Sequence, residues 1–191
     1  TLDILKTYEK KDSRIDLVDL PHNGYVKAIN TALKKADGAY IEIVESDDFI
    51  HHDMYKILYK KAYEENCDIV KANYYDYYAV DGKVPEIFES RERAAMPEVN
   101  EPFTLKKFPQ ILDGHPSIWS AVYRKAFLKD NNIIFEEVKG AGWVDNPFFF
   151  ETLCKAQRIL WVNQPLYFYR RTNQESSSNR MLNPVMPFER M

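Results

Sequence analysis

Cysteine is nearly missing from this 191-residue chain: Cys67 and Cys154 stand alone. With no C-x-x-C spacing they make neither a disulfide framework nor a zinc cluster, and they suit a reducing compartment and buried packing. Long apolar runs are missing as well. None approaches the roughly 20 residues that span a bilayer, and no signal peptide stands out. A surplus of positive charge is missing too. Twenty-six basic residues against 29 acidic ones leave a formal net charge of −3, which argues against nucleic acid as a partner. An initiating Met is also absent. The chain opens Thr1-Leu2-Asp3-Ile4-Leu5 and enters at once an amphipathic helix, with Leu2, Leu5 and Tyr8 on one face. The expectation is that residues lie upstream.

What is present is a globular composition. Apolar residues make up 45% and aromatic residues 14%, with 13 Tyr and 11 Phe, enough for a sizeable core in one domain.

The first 75 residues alternate regularly. Residues 2–10 read as a helix and Arg14-Ile15-Asp16-Leu17-Val18 as a short strand. Asn23-Gly24 is a turn, and Val26, Ile29, Leu33 and Ala36 then mark one helix face, with Gly38 as its C-cap. Ala39 to Val44 reads as a strand. Met54, Ile57, Leu58 and Ala62 form a helical stripe behind Asp53 as N-cap. Asp68 to Tyr75 returns as a strand. Strand and helix alternating at this spacing predict a parallel α/β sheet. Residues 79–103, with Asp81-Gly82, Pro85, Pro97 and Pro102, read as irregular. A short helix near 104–112, a strand at Ile118 to Arg124, a helix around 145–156 and a strand pair near 158–169 follow. The tail from Asn173, with Ser176-Ser177-Ser178, reads as mobile.

The most informative stretch is Glu45-Ser46-Asp47-Asp48, directly after the apolar run Ile41-Glu42-Ile43-Val44. Three carboxylates in four residues sit where a buried strand ends, which is where open α/β sheets bind ligands. Hard cations such as Mg²⁺ and Mn²⁺ take oxygen ligands, usually one or two carboxylates plus substrate phosphates. The cluster is therefore either a clamp for a metal-bound phosphate ester or a set of caps for the next turn and helix.

Four segments in order resemble the GT-A glycosyltransferases of family 2. They are Asn23-Gly24 with Ala28-Ile29-Asn30 and Ala36-Asp37-Gly38-Ala39-Tyr40-Ile41; Ser46-Asp47-Asp48, a D-x-D-like metal motif; Ile118-Trp119-Ser120-Ala121-Val122-Tyr123-Arg124-Lys125 with Trp143-Val144-Asp145-Asn146; and Pro165-Leu166-Tyr167-Phe168-Tyr169-Arg170-Arg171 with Ser176. The resemblance covers about residues 1–178. It implies a mixed, mainly parallel GT-A sheet flanked by helices and lacking its first strands. It implies that residues 1–78 are the remainder of the nucleotide-sugar-binding half, residues 79–172 the acceptor-side half of the same domain, and residues 173–191 a flexible tail.

It also implies roles. Asp48 would ligate Mn²⁺ or Mg²⁺, with Asp47 beside it. Asn23, Gly24, Lys27, Asn30, Glu45, Ser46 and Arg170 would meet the donor. Glu45 stands where the motif usually has its first Asp, and Val144 where the family usually has a Glu. Asp145 matches the general base, though with Pro147 behind it the residue also suits a helix N-cap. Lys27 suits a phosphate contact or a solvated helix face equally. Trp119 and Trp143 are the candidate acceptor-binding aromatics, the tyrosines reading mainly as core. Arg171 is a second candidate for the diphosphate, and His115 reads as a loop histidine.

The implied reaction is metal-dependent, inverting transfer of a sugar from a nucleotide-diphospho-sugar to a saccharide or other hydroxyl acceptor in bacterial polysaccharide biosynthesis. The implied location is cytoplasmic, compatible with self-association and with peripheral contact at the inner face of a membrane. Two other readings stay open from residues alone. A nucleotidyltransferase would need a Gly-rich, basic phosphate loop, which these residues do not carry. An inactive fragment binding carbohydrate through exposed aromatics would need neither metal nor nucleotide.

Overall fold

A computed structural model of the chain describes residues 2–21, 24–91, 96, 101–137 and 143–172. The elements run α1 (Leu2–Lys11), α2 (Tyr25–Lys35), β1 (Tyr40–Glu42), β2 (Phe49–Ile50), α3 (Met54–Glu64), β3 (Ile69–Tyr78), β4 (Glu86–Glu89), β5 (Ala121–Arg124), α4 (Lys125–Asp130), α5 (Asp145–Lys155) and β6 (Ile159–Arg170). Two 3₁₀ turns, Pro109–Asp113 and Ile118–Ser120, lie between β4 and β5.

One six-stranded sheet gathers them in the order β1-β5-β3-β6-β2, with β4 pairing on β3. The sheet is mixed, as expected, but the parallel pairing is confined to β3 and β6 among the described residues. β1 with β5, β2 with β6, β3 with β4 and β3 with β5 are antiparallel. The expectation of a mainly parallel sheet came from the helix–strand alternation in the first 75 residues. Those strands do not pair with each other: β5, from the second half, lies between β1 and β3.

The helix stripes hold. On α2, Val26 and Asn30 are buried, and Ile29 and Leu33 pack on the core. Gly24, at φ 87°, opens the helix in a conformation glycine adopts without strain. Ala36, not Gly38, is the C-cap. A Cβ on Gly38 would sit 3.1 Å from the Tyr40 carbonyl oxygen, so the close approach to β1 accounts for that glycine. On α3, Met54, Leu58 and Ala62 are buried.

Other expectations shift. Residues 14–18 form no strand. Arg14 folds back on Asp12, with Nη2 to Oδ2 at 2.6 Å, and the Leu17 amide donates to Glu9 Oε1 at 2.9 Å. These local bonds take the place of strand pairing. The Leu2, Leu5 and Tyr8 face of α1 is exposed among the described residues, and the helix buries none of its side chains. Within the stretch expected to be irregular, β4 forms a hairpin arm on β3, with Gly82 in its turn at φ 75°. The helix near 104–112 reduces to a turn and the 3₁₀ segment starting at Pro109. The strand predicted from Ile118 begins only at Ala121. The strand pair near 158–169 is a single 12-residue strand, β6. Its register against β3 shifts on both sides of Asn73, a bulge. The tail expected to be mobile, 173–191, lies outside the described residues.

No helix among the described residues is long and apolar enough to cross a membrane.

Candidate active site

The acidic segment follows β1 and leads into β2, and both of its flanks are held by the sheet. Phe49 and Ile50 pair with Phe168 and Tyr167 of β6. That pairing brings the end of the acidic loop, Asp48, against the end of β6. The Tyr167 hydroxyl donates to Asp48 Oδ2 at 2.9 Å and accepts the Glu45 amide at 3.1 Å. The Arg170 amide donates to Asp48 Oδ1 at 2.8 Å, and its Nε donates to the Asp47 carbonyl at 2.8 Å. The Arg170 guanidinium also lies over the Tyr77 ring, 5.2 Å from its centre. One residue of β6 thus fixes both aspartates of the motif. On the other side the Tyr25 hydroxyl, one residue past Gly24, donates to Glu45 Oε1 at 2.5 Å.

Burial sets the charge state of this cluster. It pushes Asp48 up to about 6, with Asp47 adding repulsion and the Arg170 and Tyr167 bonds opposing. Burial also raises Glu45, against the Tyr25 bond and with help from Asp48, Asp47 and Asp145. Asp145 is raised by burial too. Glu45 meets the negative charge of Asp47, Asp48 and Asp145, and Asp48 that of Asp47, a repulsion that a cation would relieve. Their donor atoms are all oxygens. The residues present therefore fit a hard divalent cation, Mg²⁺ or Mn²⁺, which Asp48 and Asp47 would hold.

Asp145 is the first residue of α5, and Val144 is the N-cap. Its carboxylate accepts the amides of residues 145 and 146, a favourable place for negative charge. The same carboxylate lies close enough to Glu45, Tyr25 and Tyr123 to perturb each of them. The structure therefore brings Asp145 to the Glu45 side of the acidic segment, from the other half of the sequence.

The other predicted residues divide. Gly24, Lys27 and Ser46 are exposed at this end of the molecule. Asn30 is buried, and both ends of its amide are taken: Nδ2 donates to the Phe135 carbonyl at 2.8 Å and Oδ1 accepts the Phe135 amide at 3.0 Å. It clamps α2 to the segment after α4, so the expected donor contact gives way to a structural bond. Trp119 is nearly enclosed. It stacks on Tyr167 at 4.3 Å and meets Tyr74 and Tyr169 at 4.9 and 5.0 Å, which supports Tyr167 from behind rather than presenting a free ring. Trp143 is half-buried with φ 63°. Arg171 bonds Asp76 through Nε at 2.6 Å. His115 is half-buried rather than a surface loop residue. Burial, with Lys71 and Arg171 adding to it, lowers it to about 4, so it stays neutral near pH 7. Asn23 lies outside the described residues.

Sequence reasoning passed over Tyr25 and Tyr167 as site residues. Tyr25 directly follows the Asn23-Gly24 turn, and Tyr167 sits inside the closing segment next to Arg170. Adjacency to those motifs was the available signal. Their geometry depends on β2 meeting β6, which no local pattern announces.

Comparisons with known proteins bear on the family and the fold. The model of "Glycosyl transferase family 2" matches residues 1–130. "Uncharacterized glycosyltransferase EpsJ" of Bacillus subtilis is 28% identical, over 96% of this chain and 52% of that protein. "Poly(ribitol-phosphate) beta-N-acetylglucosaminyltransferase TarS" of Staphylococcus aureus is 31% identical, over 93% of this chain and 29% of that protein. The crystal structure of S. aureus TarS 1-349 in complex with UDP-GlcNAc superposes with a TM-score of 0.72 at 26% identity, covering 99% of this chain and 50% of that one. The chain thus spans about half the length of these relatives or less. A matched stretch that carries the Asp47-Asp48 motif, and a fold shared with a GT-A enzyme, lead to one conclusion: this chain belongs to glycosyl transferase family 2.

Proposed function

We propose that the protein transfers a sugar from a nucleotide-diphospho-sugar to a hydroxyl of a saccharide or similar acceptor, with inversion, in the building of a bacterial surface polysaccharide. The observation that carries this reading is the electrostatic coupling of Glu45 to Asp47, Asp48 and Asp145, with burial raising Glu45, Asp48 and Asp145. TarS, whose structure holds UDP-GlcNAc, supports the nucleotide-sugar class of donor.

In this reading Asp48 and Asp47 hold the divalent cation. When bound, the cation neutralises the diphosphate and eases its departure. Tyr167 and Arg170 fix the loop that presents both aspartates. Asp145 takes the proton from the acceptor hydroxyl. The hydroxyl oxygen forms its bond to the anomeric carbon while the bond to the diphosphate oxygen breaks on the opposite face. One such displacement inverts the anomeric centre. A base works best with a pKa near the working pH, and burial moves Asp145 in that direction. Its place on α5 keeps the carboxylate oriented by the helix amides. Residues 1–78 serve the donor side and residues 79–172 the acceptor side, although the two stretches interleave in one sheet. The reaction takes place on the cytoplasmic side, at the inner face of a membrane.

The test is Asp145→Asn in the whole protein. The amide keeps the shape and removes the base. General-base assistance is worth about 10²–10⁴-fold, so kcat should fall within that range with donor KM little changed. An unchanged kcat would remove Asp145 from the mechanism.

A further inference from the structure

We propose that His51, His52 and Asp53 form a second cation site, of a chemistry different from the carboxylate cluster. Each residue brings one donor atom, and the three lie within 4.8 Å of one another. His52 Nε2 is 2.9 Å from Asp53 Oδ2. The two imidazole rings lie 4.3 Å apart, centre to centre. The donors of a tetrahedral ion with bonds of about 2.0–2.1 Å stand roughly 3.3 Å apart, so two of them are already near that spacing and the third needs only a side-chain turn. His51 Nδ1 accepts the Asp53 amide at 3.2 Å, a long bond to the single lone pair of that nitrogen, which an ion bound there would displace.

Two imidazoles and one carboxylate select a borderline transition metal such as Zn²⁺ over Mg²⁺ or Mn²⁺. Three protein ligands, with His52 largely exposed, leave a fourth position for water. Asp53 is the N-cap of α3 yet makes no side-chain capping bond, so its carboxylate is turned toward the histidines instead of the helix. The site also has a definite structural place. The His51 amide donates to the Leu166 carbonyl at 2.8 Å, and β2 lies between His51 and Asp48. An ion here would lock the joint between β2 and α3 and so stiffen the acidic loop from its far end. This assignment does not depend on the proposed transfer reaction.

The test is titration of untagged whole protein with Zn²⁺ against a chromophoric chelator, and with Co²⁺ followed by its visible spectrum. One Zn²⁺ should bind, raising the melting temperature. The Co²⁺ spectrum should show nitrogen and oxygen ligation without a thiolate charge-transfer band. His51→Ala/His52→Ala should weaken binding by at least about tenfold and abolish the thermal shift, while Asp48→Asn should keep both. A thiolate band in the unaltered protein would assign the metal to Cys154, which is exposed, and overturn the site. Undiminished binding in the double variant would overturn it equally.

Discussion

The Tyr167 hydroxyl joins Asp48 to the Glu45 backbone, donating to one at 2.9 Å and accepting from the other at 3.1 Å. A single oxygen thereby fixes both ends of the four-residue acidic loop. Trp119, stacked on the same ring at 4.3 Å, holds that oxygen in place. Tyr167→Phe keeps the stacking and deletes the oxygen. The Glu45 amide then loses its acceptor and Asp48 a donor, a change worth about 1–3 kcal/mol where such groups are buried. Denaturant unfolding should show a loss of that size, and Mn²⁺ affinity should fall with it. Unchanged stability would mean that the loop holds itself.

Glu42 predicts a pH dependence of folding. It lies on β1 with both carboxylate oxygens buried and without a hydrogen-bond partner among the described residues. Burial pushes it from the ordinary 4.5 up to about 8. The folded state therefore holds this proton over a range where the unfolded state has released it. Its contribution to stability is greatest below about 4.5 and declines as pH rises through about 8. Glu42→Gln should remove that slope and stabilise the protein at pH 8 by a few kcal/mol on the order expected for such a shift. Equal pH profiles for the two proteins in chemical unfolding would contradict this.

Asp68 ties three strands together at their ends. It pairs with Arg124 at the end of β5, and its other oxygen accepts the Gln157 and Arg158 amides, at 2.8 and 3.1 Å, just before β6. The side chain is only 5% exposed. Asp68→Ala leaves the Arg124 guanidinium and two amides without their acceptor. Breaking a buried pair from one side costs about 3–5 kcal/mol. The half-exposed Arg124 places the expectation at the lower end, about 3 kcal/mol. A loss below about 1 kcal/mol would show that water replaces the carboxylate.

The helices were legible because their signals are local. Val26, Ile29 and Leu33, and then Met54, Leu58 and Ala62, repeat at helical spacing and do face the core. The acidic motif was legible as a cluster of charge in the wrong place for a strand end. Strand partnering was not legible. Tyr40 to Glu42 and Ile69 to Tyr78 follow each other in sequence with a helix between, the usual mark of a parallel pair. Instead β5, which begins 43 residues after β3 ends, inserts between them. The double role of Asn30 was hidden for the same reason, since Phe135 is 105 residues away. His115 looked like a surface histidine because its loop residues, Asp113 to Pro116, carry no sign that aromatic rings from β3 and β6 close over them.

The account rests on Asp48 presenting a divalent cation to a nucleotide-sugar. Calorimetric titration of the whole protein with UDP-, GDP- and dTDP-sugars, with and without Mn²⁺, measures this most directly. The account predicts that one donor class binds only with Mn²⁺, and that Asp48→Ala abolishes this binding while leaving the fold intact by circular dichroism. Binding that is equally tight without Mn²⁺, or unchanged in Asp48→Ala, would contradict it.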